Sequence, residues 1–188
     1  MIEMQIVFVT GIHGIGKTTL CMTLSDLLQM PLVTASTLIK EAMGSSKNPA
    51  KLNPEIEENA LQFKQAVLEL SRAHERLLLD GHTVLLTDSG ATHRVSHAIF
   101  EALPIACFLI LYNEVDLVYS RLASAGTLTL SERSLAEFQD EELLYALSLA
   151  GSMRCDVVVA CASEDPHSIV ERLLRTRALA QGQKGRVE

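Results

Sequence analysis

Residues Gly11-Ile-His-Gly-Ile-Gly-Lys-Thr-Thr19 constrain this chain more than any other stretch of its 188 residues. They fill the pattern G-x-x-x-x-G-K-[ST], with Gly11, Gly16, Lys17 and Thr18 in register. Before the loop runs Gln5-Ile-Val-Phe-Val-Thr10, short and β-branched as a buried parallel strand should be. After it, Leu20, Leu24, Leu27 and Leu28 fall on one helical face. Strand, glycine loop and helix thus follow in the order that lets backbone N–H groups converge on an anion at a helix N-terminus. Lys17 adds a mobile positive charge, Thr18 a hydroxyl for Mg²⁺, and Thr19 a neighbour for the α-phosphate. His13, Gly14 and Ile15 complete the loop and count with its nucleotide-binding residues. The expected ligand is a nucleoside triphosphate.

The remaining composition narrows the setting. A net charge of −7 argues against a nucleic-acid surface, which needs clustered Lys and Arg. The longest apolar run, Ala102 to Tyr112, is too short to span a bilayer and contains Pro104. The first residues carry no basic region ahead of their apolar run, so the expectation is a cytoplasmic protein without a signal peptide. Cys21, Cys107, Cys155 and Cys161 stand singly and read as reduced core thiols. His93 and His97 read as surface residues, and Asp140-Glu-Glu142 as a solvated helix face.

Strand and helix patterns alternate along the chain. Pro31 to Thr34 reads as a second strand, with Ser36 capping a helix over 37–43. Asn53 and Pro54 open another helix whose stripe is Ile56, Ala60, Phe63, Val67 and Leu70. Ala106 to Tyr112 and Asp156 to Ala160 read as core strands. Each is followed by a helix, Glu114 to Ala123 and Pro166 to Leu179, and a further helix covers Ser131 to Leu149. Between Arg76 and Asp88 two parsings compete. One ends the third core strand at Asp80 and opens a hairpin at Thr83; the other runs the strand from Thr83 to Asp88. In either case an acid ends the strand. This pattern means a parallel sheet wrapped by helices, with the ligand at the strands' carboxyl ends. The reading is one α/β domain over residues 1–180 and a polar tail over 181–188.

Several segments together resemble the small P-loop nucleotide kinases, nearest to archaeal-type adenylate kinases and to compact bacterial AAA/ATP-binding proteins. They are GIHGIGKTT, ASTLIKEA, LNPEIEE, LLLDGH, and the run from Tyr112-Asn-Glu-Val-Asp116 to Phe138-Gln-Asp-Glu-Glu-Leu-Leu-Tyr145. The resemblance implies a three-layer P-loop NTPase fold, α/β, with a parallel five-stranded sheet flanked by helices. It also implies ATP and Mg²⁺ as cofactors. It favours Asp80 over Asp88 as the Walker-B-like acid, so that Thr18 and Asp80 organise the metal. It places residues 36–75 as an acceptor-binding helical region and 123–131 as a short lid. Lys17, Asp80, Arg121 and Arg133 would then act in catalysis, and Ser163 would lie beside the nucleotide base. Ser36, Lys40, Lys47, Lys51 and His82 would face the acceptor. The chain departs from the relatives at two places. Ala123 to Leu128 carries no charge where they hold lid arginines, and Lys47 and Lys51 stand where they use arginine. The implied activity is an ATP-dependent phosphotransferase, with a nucleoside monophosphate as expected acceptor. The alternatives are a slow ATPase or nucleotide-binding accessory protein, or a kinase of another small metabolite. A homo-oligomer or protein partner is left open.

Overall fold

The computed structural model describes residues 4–38, 64–67, 69–70, 72–87 and 90–180. Its centre is a five-stranded parallel sheet in the order β2-β3-β1-β6-β7. The strands are β1 (Gln5–Thr10), β2 (Leu32–Thr34), β3 (Arg76–Asp80), β6 (Ile105–Tyr112) and β7 (Asp156–Cys161). A separate antiparallel pair, β4 (Val84–Leu86) with β5 (Thr92–Arg94), lies outside this sheet. The helices are α1 (Lys17–Leu28), α2 (His97–Glu101), α3 (Val115–Ser124), α4 (Glu132–Met153), α5 (Pro166–Leu174) and α6 (Arg177–Ala180).

The strands' alternation builds three layers. On β1, Val7 and Val9 join one buried cluster with Leu20 and Leu24 of α1 and Ile169 and Leu173 of α5. Ile6 and Phe8 point the other way, into a cluster with Phe100 of α2 and Ala146, Leu149 and Ala150 of α4. Phe8 meets Phe100 and Phe108 edge-on at ring distances of 5.4 and 5.5 Å, which locks that second layer. With helices on both faces, the three-layer α/β P-loop architecture expected from the sequence is the observed one.

Asp80 ends β3, and the hairpin begins after it, so the first of the two parsings is correct. Asp88 lies outside the described residues, as do Lys40, Lys47, Lys51 and the first part of the helix opened by Asn53; its later residues 64–67 and 69–70 are helical, with Val67 buried as expected. Other expectations need correction. Thr34, not Ser36, receives the backbone N–H of Thr37 at 3.4 Å, because the helical turn over 35–38 starts two residues early. β7 is an edge strand that pairs only with β6, so Val157 and Val159 face outward. The last helical pattern breaks at Arg175, because Thr176 turns its hydroxyl onto the Leu173 carbonyl at 2.6 Å. His93, on β5, and His97, which opens α2, are surface residues as expected, and His97 Nε2 meets Ser152 Oγ at 2.8 Å. Cys21 and Cys107 are buried free thiols, and burial pushes each up to about 12. No helix among the described residues is long and apolar enough to cross a membrane.

Candidate functional site

The loop between β1 and α1 is held from three sides. Gly16 has φ +98° and directly precedes Lys17, the first residue of α1, a conformation that an L side chain resists. Gly11, at φ +152°, lies so close beneath its neighbours that a Cβ would come within 2.7 Å of the Leu111 carbonyl oxygen. The Ile15 carbonyl accepts from Asn113 Nδ2 at 3.3 Å and from Arg121 Nη1 at 3.1 Å. Because a trans peptide is planar, fixing that carbonyl aims the Gly16 N–H in the opposite direction. Asn113 also donates to the Ser163 hydroxyl at 2.9 Å, tying the end of β7 to the same loop.

Lys17 is buried at the base of the loop, with 8% of its surface exposed. Its ammonium group donates to Asp80 Oδ1 and to the Gly81 carbonyl at 2.7 Å, and lies 3.4 Å from His82 Nε2. The sheet register explains the meeting: Asp80 lies beside Val9 of β1 and Thr34 of β2, at the strands' carboxyl ends. His13 leaves the loop apex to pack against His82, with ring centroids 4.2 Å apart and the planes tilted by 44°.

A buried carboxylate supports this arrangement from behind. Glu142 on α4 is 1% exposed, not part of a solvated face. It accepts from the Thr10 hydroxyl, the Thr83 N–H at 3.0 Å, the Thr83 hydroxyl at 3.0 Å and the Val84 N–H at 2.5 Å. Four donors satisfy the charge without a cation. Thr10 immediately precedes the glycine loop, and Thr83 follows the Asp80-Gly81-His82 turn, so one side chain joins both to α4.

Of the residues expected at the site, the structure brings together Gly11, His13, Gly14, Ile15, Gly16, Lys17, Asp80, His82, Arg121 and Ser163. Thr18 and Thr19 stand exposed in the first turn of α1. Arg133 is not brought in: its side chain is 89% exposed and pairs with Glu137 at 3.0 Å, one turn along α4. Ser36 is exposed in the turn after β2. Glu142 and Asn113 were not legible as site residues.

The groups present fit a magnesium nucleotide. The hydroxyl of Thr18 and the carboxylate of Asp80 are hard oxygen donors. Among the described residues no three His, Cys, Asp or Glu side chains gather as a metal cage.

Both loop-side histidines favour the neutral form. His13 is exposed at the loop apex, yet partial desolvation, then the Lys17 charge, lowers it, with Glu142 and Asp80 opposing. Burial, then Lys17 and His13, holds His82 well below the ordinary imidazole range. A histidine depressed in the folded state gives stability that is complete above its unfolded value of about 6.5 and is lost as pH falls below it. Melting temperature is therefore expected to drop between pH 7 and 5, and the double variant His13→Gln/His82→Gln should flatten that drop. An unchanged slope in the double variant would refute the assignment. The Asp156 carboxyl, held below its usual range through its bonds to Arg177, acts only at lower pH.

The pattern of an AAA domain (AAA_17) matches residues 10–142, from the end of β1 to Glu142. The chain belongs to the AAA domain family. Solved structures share the fold of this AAA domain at low identity. Shikimate kinase from Acinetobacter baumannii in complex with shikimate aligns at a TM-score of 0.56 and 16% identity, covering 98% of this chain and 96% of that one. Shikimate kinase from Bacteroides thetaiotaomicron gives 0.51 and 19%, covering 91% and 96%. A gluconokinase from Sinorhizobium meliloti 1021 gives 0.51 and 15%, covering 97% and 95%. No curated protein matches the sequence. The architecture is thus P-loop kinase-like.

Proposed function

We propose that this AAA domain is an ATP-dependent phosphotransferase acting on a small metabolite. The observation that carries the reading is the Lys17 ammonium, buried beneath a glycine loop and aimed by Asp80 and the Gly81 carbonyl, with the Arg121 guanidinium lying across the same loop. Phosphoryl transfer is mainly positioning and charge stabilisation. The loop amides and Lys17 grip the β- and γ-phosphates, and Arg121 offsets charge on the transferring group. Thr18 and Asp80 would hold Mg²⁺, which neutralises phosphate charge when bound. Ser163, fixed by Asn113, stands on the β7 side, where the base would lie.

The solved kinases of similar fold support a small-metabolite acceptor. Nearness to archaeal-type adenylate kinases, and with it a nucleoside monophosphate acceptor, rests on the sequence segments alone. The charge-free stretch Ala123 to Leu130 supports a second reading, a slow ATPase whose output is a partner interaction. An ADP-release assay with and without acceptors tests the choice. Acceptor-dependent ADP release with a phosphorylated product is expected. Equal release with and without every acceptor would favour the second reading.

A further inference from the structure

The edge strand β7 and one flank of α4 expose apolar side chains together. Parallel strands in register turn paired residues to the same side of the sheet, so Val157 goes with Phe108 and Val159 with Ile110. That is the side on which Ala146, Leu149 and Ala150 of α4 pack. Val157 and Val159 still stay 38% and 36% exposed, because α4 packs on β6 and stops short of the edge. The far flank of α4 is engaged: Glu141 with Arg94, the Tyr145 hydroxyl with the Val95 carbonyl, and Ser152 with His97. That flank adjoins α2, whose Phe100 meets Phe8 of β1, away from the β7 edge. The opposite flank, turned towards β7, carries Asp140, Leu143, Leu147, Gly151 and Arg154 in helical steps of three and four. Leu147 is 38% exposed there, and Leu144 beside it is 63% exposed.

This row is symmetric about Leu147, with Asp140 as far before it as Arg154 is after it. Two copies of α4 crossing antiparallel on a two-fold axis at Leu147 would set Asp140 of each opposite Arg154 of the other. Leu143 would fall opposite Gly151, whose missing side chain admits it. A Cβ on Gly151 would meet nothing within 4 Å beyond its own helical turn, so packing within one copy does not call for this poor helix former. A two-fold contact requires one patch to be its own complement, and this flank is.

We infer that the protein forms a two-fold dimer through α4 and the β7 side chains, with Leu147 on the axis and two Asp140–Arg154 pairs closing its ends. The inference is independent of the phosphotransferase reading. Charge complementarity selects a second copy as the occupant, since each chain supplies both signs at matching distances from the axis. The 22 residues of α4 run about 33 Å, and one helix with two strands is about 20 Å wide. The face is therefore roughly 650 Å² a side, within the ~600–1,000 Å² a side of specific interfaces. The Val159 carbonyl on the strand's outer edge already accepts from Arg172 at 2.8 Å. That bond caps the edge, so the copies meet through side chains and not through a continued sheet.

Sedimentation velocity on the full chain from about 1 to about 100 µM tests this, and a dimer should form within that range. Leu147→Glu sets two carboxylates together on the axis and should leave a monomer throughout. Asp140→Arg and Arg154→Asp should each raise the dimer Kd by about tenfold or more, because the axis repeats every reversal. Carrying both reversals in one chain should restore the Kd to within about threefold, because each pair is then re-formed with its signs exchanged. All of these positions are exposed, and aspartate tolerates the positive φ of 55° at position 154, so melting curves should show folded variants. A chain that stays monomeric to the highest concentration overturns the inference and leaves the face to a different protein. A dimer that survives Leu147→Glu overturns it too, by placing the contact elsewhere. Single reversals without effect, or a double reversal that recovers nothing, refute the antiparallel pairing.

Discussion

Replacing Lys17 by methionine should reduce kcat/KM by at least about 10³-fold and destabilise the fold, two effects with different origins that a second substitution separates. On the proposed reading, the catalytic loss follows from removing the ammonium group that the glycine loop would set against the phosphates. The stability loss follows from Asp80, which is 8% exposed and uses Lys17 as its ion-pair partner. Stranding a largely buried carboxylate is expected to cost about 2–4 kcal/mol, or roughly 4–16 °C in Tm for a chain of this length. Adding Asp80→Asn to Lys17→Met removes the stranded charge. The double variant should therefore regain stability, with a coupling of about 1–3 kcal/mol in the double-mutant cycle, yet show no recovery of MgATP turnover. Melting curves and initial rates on the four proteins decide it. If both properties recover together, Lys17 is a structural partner of Asp80 and not a phosphate ligand.

The loop, its strand and its helix were legible because each depends on neighbours in sequence. Glycine at 11 and 16, a lysine at 17 and a continuous apolar, β-branched strand before them are local rules that tertiary context has little reason to override. Asp80 was reached through the family resemblance and not through local rules: an apolar run with an acid at its end fits both Asp80 and Asp88, and only β3 ending at Asp80 decides between them. β7 shows where local reading stops. Three consecutive valines look like a strand buried on both faces, but whether a strand is central or at the edge depends on how many partners the topology supplies. Arg133 failed in the same way, since its i,i+4 partner Glu137 satisfies it locally and leaves nothing to draw it back over the loop. Asn113 carried a weak signal as a polar residue at the end of a strand. Its two-way link between Ile15 and Ser163 is visible only once β6 and β7 are paired.

Glu142 lies furthest from sequence legibility, and its removal is the other large effect expected. Within Asp140-Glu-Glu142 it looks like its acidic neighbours, because nothing in that segment announces that Thr10, 132 residues away, and Thr83 will surround it. Glu142→Ala leaves two backbone N–H groups and two hydroxyls without their acceptor in a buried site. The expected loss is about 3–5 kcal/mol, roughly 6–20 °C in Tm. Glu142→Gln is the informative control. The Thr83 N–H reaches Oε1 and the Val84 N–H reaches Oε2, so each carboxylate oxygen serves its own backbone donor. A glutamine offers one oxygen and one NH₂ and must set a donor against a donor at one of them. It should recover only part of the loss, whereas a role in packing alone would let this near-isostere recover nearly all of it. Thr10 leads into the glycine loop, so the same glutamine variant should raise the KM for MgATP while Arg133→Ala leaves it unchanged. A glutamine variant that melts and binds nucleotide like the unmodified chain would show that α4 merely covers the sheet and does not hold the loop in place.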